Sequence, residues 1–315
     1  MVFKIMLIIY FNTIRIVLSF MFKFKLMKQL IIFLYIVLNV LFSRTVYHIP
    51  IEGTIDLGLP PYIERSIKEA EDNNALSIIF EVNTFGGRVD AATQIKDAIL
   101  DSKVPTVAFI NKRAISAGAL ISLSCEKIYM TGGGTIGATT AVDMSGNKAS
   151  EKVISYMREE MASTAEKRGR NKYIARGMVD EELEFPNKIK KEYVTTDNEI
   201  DTLKTIIYYL VIDNDTVYVD DIEGRKQGNL ITLTTEQALK YKIADKSADT
   251  FDSVLDSLGL SNVNVLKKSE NWSEAFVRFL TNPVVASLLT TFGFLGILFE
   301  LQSPGWGIPG SVGLI

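Results

Sequence analysis

Between roughly residues 46 and 265, short apolar runs alternate with longer stretches of helical periodicity, the pattern of βα units around a parallel sheet. Ala75–Val82 and Val104–Ile110 have strand length and composition, and Val46–Pro50 is a further apolar stretch that reads as a strand near a domain edge. Pro61–Asp72 and Val89–Asp101 read as helices, the second with Ala91, Ile95, Ala98 and Ile99 on one face. A longer helix, Ser150–Arg168, opens on Ser150 as N-cap, and Thr234-Thr235-Glu236-Gln237 has capping-box spacing. Residues 179–229 are charged and irregular, apart from a strand pair expected around Ile206–Tyr218. The expected class is α/β.

The strongest apolar runs lie at the two ends. Residues 1–45 hold Lys4, Arg15, Lys23, Lys25, Lys28 and Arg44, no acidic residue, and two apolar stretches, which is export-signal chemistry. From Met27 onward Lys28 forms a basic n-region, Leu30–Phe42 an h-region, and Ser43 a cleavage point; the preceding 26 residues are either an upstream extension of the reading frame or an anchor. Lysines ahead of that segment stay in the cytoplasm, so the middle domain is expected outside it. Residues 266–282 read as a linker, and the uncharged run Val284–Phe299 within 283–315 as a membrane span. The turn-rich Gln302–Gly310 segment with Trp306 follows as an interfacial stretch, and Ser311–Ile315 opens another apolar segment at which the chain stops, as a truncated product would.

Composition narrows the chemistry. Thirty-four basic against thirty-seven acidic residues, with no basic stripe interleaved with aromatics, argue against a nucleic-acid partner. One cysteine, Cys125, and one histidine, His48, make neither a disulfide nor a structural zinc site, so no metal or cofactor is expected. Cys125 reads as a small core residue. A nucleophilic serine would have to recruit His48 for a Ser-His-Asp triad, and a lysine is the better base.

Two glycine-containing turns carry the candidate site. Thr84–Asp90 joins a strand to a helix through Gly86-Gly87, where main-chain N–H groups can stabilise developing negative charge. Ala114-Ile115-Ser116-Ala117-Gly118-Ala119 follows the next strand, and its small residues let a substrate backbone approach Ser116; alone, Ser116 would read as an N-cap. A lysine in the first turn of helix 150–168, Lys152, faces the positive end of the helix dipole, which disfavours its charged form. Lys148 and Lys127 are its rivals, and 139–151 reads as a flap.

With these residues in place the chain resembles the ClpP/crotonase superfamily and, within it, the membrane-bound serine proteases called NfeD or stomatin operon partner proteins. The resemblance rests on Asn83–Asp90, Ala114–Gly118, Gly134–Ala138 and Leu233–Lys240, in family order, and on the Asn-Pro-led apolar segment followed by Ser303-Pro304-Gly305-Trp306. It implies a repeated ββα-type spiral fold over 46–265, Ser116 as nucleophile, Lys152 as base, an oxyanion hole of the Gly87 and Ala117 N–H groups, and a supporting turn of Gly86 and Gly118. It also implies hydrophobic peptide substrates such as a segment of a stomatin-like membrane protein, and self-assembly into dimers or rings. Phe85 departs from the proline that relatives carry there. A signal-peptide-peptidase-like protease, a non-catalytic scaffold for a stomatin-like partner and an acyl-CoA enzyme of the same fold are the competing readings.

Overall fold

The computed structural model of the chain describes residues 44–142, 147–181 and 228–302, the backbone of short strands between 187 and 218, and helical residues between 21 and 31. Most of the expected signal segment, the tip of the flap and the Ser303–Gly310 turn lie outside the described residues. The chain divides into two units, Met1–Arg44 and Thr45–Ile315.

The second unit opens with three βα repeats: β1 (Thr45–Ile55) and α1 (Leu59–Asp72), β2 (Ser77–Gly87) and α2 (Val89–Asp101), β3 (Thr106–Ile115) and α3 (Ala117–Ser124). Strands β4 (Lys127–Met130) and β5 (Thr135–Gly137) and helices α4 (Glu151–Lys167) and α5 (Lys172–Gly177) follow. Five short strands come next: β6 (Asn187–Lys188), β7 (Val194–Thr196), β8 (Glu199–Asp201), β9 (Ile207–Ile212) and β10 (Asp215–Tyr218). The expected strand pair is the antiparallel β9–β10 hairpin. The chain continues through β11 (Thr232–Thr234), α6 (Thr235–Lys240), β12 (Lys246–Ser247), α7 (Phe251–Ser257), β13 (Asn264–Lys267), α8 (Trp272–Thr281) and α9 (Pro283–Gln302). Part of the span expected as a linker, residues 266–282, is therefore helix α8.

One eight-stranded sheet runs β11-β5-β3-β2-β1-β13, with β4 also on β3 and β12 on β4. Every pairing in it is parallel except β11 with β5. Alternation along the strands sends Ile78, Phe80, Ala108 and Ile110 into a large core with Ile63, Ile95, Leu120 and Met157 of the helices. Val46, Ile79, Val107 and Phe109 point the other way, into a smaller core closed by Val254 and Leu255 of α7. Burial on both faces is why these strands read as continuous apolar runs rather than as alternating ones.

The central strands are longer than their apolar runs. Register shifts fall between Glu52 and Thr54 of β1 and between Val82 and Thr84 of β2, so all three central strands become irregular at one level and continue past it. Strand β3 also forks: Val107–Ile110 pairs with β4, and Arg113–Ile115 pairs with β5. Such irregularities re-aim a strand end, and here the re-aimed ends carry Gly86-Gly87 and Ser116.

Candidate active site

Ser116 occupies the N-cap position of α3 without acting as a cap. Its backbone sits at φ 55°, ψ −120°, and its hydroxyl makes no capping hydrogen bond. A capping serine has extended dihedrals and accepts an N–H from the first turn, so the simple structural explanation of Ser116 fails on both counts. A non-glycine residue held at positive φ costs on the order of 1–3 kcal/mol and persists only where its surroundings impose it. Those surroundings are specific: the Ser116 N–H donates to Gly137 O at 2.9 Å, and its carbonyl accepts from Ala119 at 2.9 Å. The whole of α3 behind it is buried.

The two glycine-containing turns meet. A Cβ built on Gly86 would lie 2.6 Å from Ser116 Cβ and 3.1 Å from its Oγ, and Gly86 itself has φ +107°. Glycine is therefore required there both for conformation and for room. At Gly87 a Cβ would fall 2.1 Å from Ile55 O, and at Gly118 it would fall 2.5 Å from Thr84 Cγ2. Buried Thr84 ties the turn together, its Oγ1 donating to Gly53 O at 2.5 Å and accepting the Gly86 N–H at 2.9 Å. Phe85 is 73% exposed, with the Arg113 guanidinium 4.4 Å from its ring centroid.

The lysines separate by position. Lys127 pairs with Val107, eight residues before Ile115 on β3, which at 3.3 Å per residue puts it roughly 26 Å from the strand end that carries Ser116. Lys148 is ion-paired with Glu181 at 2.8 Å. Lys152 is exposed in the first turn of α4, and among the described residues its ammonium has no hydrogen-bond or ion-pair partner. Val142 bridges Lys148 and Ala149 N donates to Ala141 O at 3.0 Å, so the two ends of the flap lie side by side just ahead of α4. Ser150 stands at the N-cap of α4 but makes no side-chain cap bond.

The histidine is remote from Ser116. His48 pairs with Ile79, which pairs with Val107, placing it level with Lys127 at the far end of the strands. Its ring is buried, 2.7 Å from Glu81 and stacked at 4.2 Å on Phe251, and burial lowers its pKa. Cys125 is wholly buried, its thiol pushed up to about 12 by desolvation, and is a core residue as expected.

Some supporting residues carry no signal in the sequence. Thr84 and Gly137 fall within stretches the sequence singles out but with no role of their own there, and Arg168 and Arg170 look like solvated charges after a helix. In the fold Arg170 is buried and donates to the carbonyls of Leu123, Cys125, Glu126 and Ile243, while Arg168 Nε donates to Ser124 O at 2.6 Å. Together they close the C-terminal end of the helix that begins at Ser116. Beside the site, Arg88, Val89, Asp90, Thr93, Gln94 and Tyr156 line an open groove of about 580 Å³ between α2 and α4.

The family model of the NfeD1b N-terminal domain matches residues 45–205, and that of the NfeD integral membrane domain matches residues 284–315. The chain belongs to the NfeD family. Membrane protein NfeD1b of Bacillus subtilis is 34% identical over 273 residues, 87% of this chain and 54% of that protein. Membrane-bound protease PH1510 of Pyrococcus horikoshii is 26% identical over 315 residues, 92% of this chain and 60% of that protein. This NfeD chain thus spans little more than half the length of those relatives.

Among solved structures, a lysine-to-alanine mutant of the 1510-N membrane-bound stomatin-specific protease, in complex with a substrate peptide, superimposes with TM-score 0.56 at 23% identity over 76% of this chain and 99% of that one. The corresponding serine-to-alanine mutant gives 0.52 at 24% identity over 73% and 99%. The α/β sheet fold of this NfeD chain is that of the protease domain. The integral membrane match coincides with α9, whose Val284–Gln302 is long and apolar enough to cross a bilayer, and it places the chain in a membrane.

Proposed function

We propose that this chain is a membrane-bound serine endopeptidase in which Ser116 is the nucleophile and Lys152 the general base, cleaving hydrophobic segments such as those of a stomatin-like membrane protein. The observation that carries the reading is the strained, uncapped Ser116 pressed against Gly86. A hydroxyl kept out of the capping role and held at positive φ at a helix N-terminus is available for attack on a carbonyl.

In the proposed reaction Ser116 Oγ bonds to the peptide carbonyl carbon as its proton passes to Lys152 Nζ. The oxyanion is held by the N–H groups of Gly87 and Ala117. Two features support these donors. Ala117 is the first residue of α3, where N–H groups have no intrahelical acceptor. The Arg88 N–H donates to Ile55 O across β1, so by alternation the Gly87 N–H turns the opposite way, toward β3. Collapse of the intermediate breaks the C–N bond, Lys152 returns the proton to the leaving amine, and water hydrolyses the acyl-enzyme.

Tyr156, four residues after Lys152 on α4, lines the groove that begins at Arg88 beside Gly87. A peptide in that groove passes over Lys152 and takes its amine out of water, the condition under which a neutral lysine accepts a proton. The basic N-terminal region supports an extracytoplasmic site. The likeness to 1510-N, a stomatin-specific protease, supports a stomatin-like partner.

The test is cleavage of a hydrophobic peptide panel by the wild type, Ser116→Ala and Lys152→Ala in detergent. Each variant is expected to lose at least about a thousandfold in rate. Full activity in either variant overturns the dyad. Failure of a serine-reactive probe to label the wild type at Ser116 supports a scaffold instead.

A further inference from the structure

Helix α8 is amphipathic in the reverse of the usual sense. Its two charged positions, Glu274 and Arg278, one turn apart, face the domain. Glu274 is buried and accepts from Nε and Nη2 of Arg65, each at 2.8 Å. Arg278 donates to Asp56 at 2.9 Å, to Thr54 O at 3.1 Å and to Glu270. The seat is close: a Cβ on Gly58 would fall 2.4 Å from Arg278 Cγ. The rest of the helix points outward, with Trp272, Phe276, Phe279 and Leu280 exposed and Trp272 at 81%. Large apolar side chains at helical spacing on the solvent side of a docked helix have no rationale in water.

The chain itself supplies the rationale. Helix α8 ends at Thr281, and Asn282 Oδ1 accepts the Val284 N–H at 3.0 Å as the membrane span begins. A ten-residue helix is about 15 Å long, so all of α8 lies close to the point where the chain meets the membrane. We propose that α8 lies in the bilayer interface, with Trp272, Phe276, Phe279 and Leu280 in lipid and Glu274 and Arg278 holding the domain on its other face. Tryptophan and phenylalanine opposite a charged face are the side chains such a position selects. The same contacts orient the site, because Thr54, held by Arg278, pairs with Gly86, which touches Ser116. Taken with the protease reading, on which this one step rests, the segment to be cut lies at the bilayer surface.

The chain has two tryptophans, and Trp306→Phe leaves Trp272 alone. That variant is reconstituted in phosphatidylcholine–phosphatidylglycerol vesicles containing lipid brominated either close to the headgroup or deep in the acyl chains. Shallow bromines are expected to quench more than half of the Trp272 emission and deep bromines much less. Should Trp306→Phe fail to accumulate, the same signal is read as the difference between wild type and Trp272→Phe. Emission untouched by either lipid overturns the proposal, as does a blue shift in detergent that grows with protein concentration, since a second copy then covers the face. Quenching does not involve Ser116, so a failed dyad leaves this result standing.

Discussion

Strain at Ser116 has a measurable consequence. Glycine removes the penalty of positive φ, on the order of 1–3 kcal/mol, and returns up to about 1 kcal/mol through the added freedom of the unfolded chain. Ser116→Gly is therefore expected to raise the unfolding free energy by about 1 kcal/mol, whereas Ser116→Ala keeps the strain and stays near wild type. Denaturant midpoints of the two variants decide it, and equal midpoints would remove strain from the account. His48 makes a second case. Burial lowers its pKa below the ordinary value of about 6.5, so the folded state binds the proton less readily than the unfolded state. Its contribution is fully present above about pH 6.5 and fades as the pH falls from there through the folded value. His48→Gln should flatten the stability profile just below about pH 6.5, and an unchanged slope there counts against this assignment. At this scale the sequence offered Ser116 as the candidate, because the two glycine-containing turns are local. It did not show that Gly86 touches Ser116, since that contact follows from a shift of register across three strands.

Helices were legible and strand ends were not, for one physical reason. Helical periodicity marks a whole amphipathic element, as in α1 and α2, and the Thr234 capping box is present with both of its bonds. Apolar runs mark only the doubly buried part of a strand. Ala75–Val82 and Val104–Ile110 therefore missed the polar extensions through Gly87 and Ile115 that lead into the candidate site. The end of α3 was equally hidden, because a buried arginine is unreadable without its acceptors. Arg170 donates to four carbonyls and to Asp245. Arg170→Met keeps the bulk and leaves those acceptors unpaired, which is expected to cost about 3 kcal/mol or more. Urea unfolding in detergent measures it against Lys172→Met, whose exposed pair with Glu166 should leave the midpoint in place. If the two variants unfold together, Arg170 does not hold α3.

Charge across one seam joins the sheet domain to its membrane end. Glu274 lies on Arg65 at 2.8 Å, Lys268 on Glu69, and Arg278 on Asp56 at 2.9 Å, all between α1, its preceding loop and the segment leading to α9. Hydrogen bonds from Arg65 hold the Glu274 carboxyl below the usual carboxylate range, and the Lys268 ammonium does the same for Glu69. A depressed carboxylate contributes its stability above its unfolded value, about 4.3, and loses it as the pH falls through the folded one. Arg65 stays charged throughout, so protonation of Glu274 leaves it half-buried against a neutral acid, and the seam should open in acid while the apolar cores hold. Spin labels on Glu64→Cys of α1 and Ser273→Cys of α8 report this, because both positions are exposed and the native Cys125 is buried beyond reach of the reagent. One narrow distance is expected near neutrality, giving way to a longer and broader distribution below about pH 4. A narrow distribution that persists into acid, up to the point where the core itself unfolds, would mean that packing around Gly58 rather than charge fixes α8 to the domain.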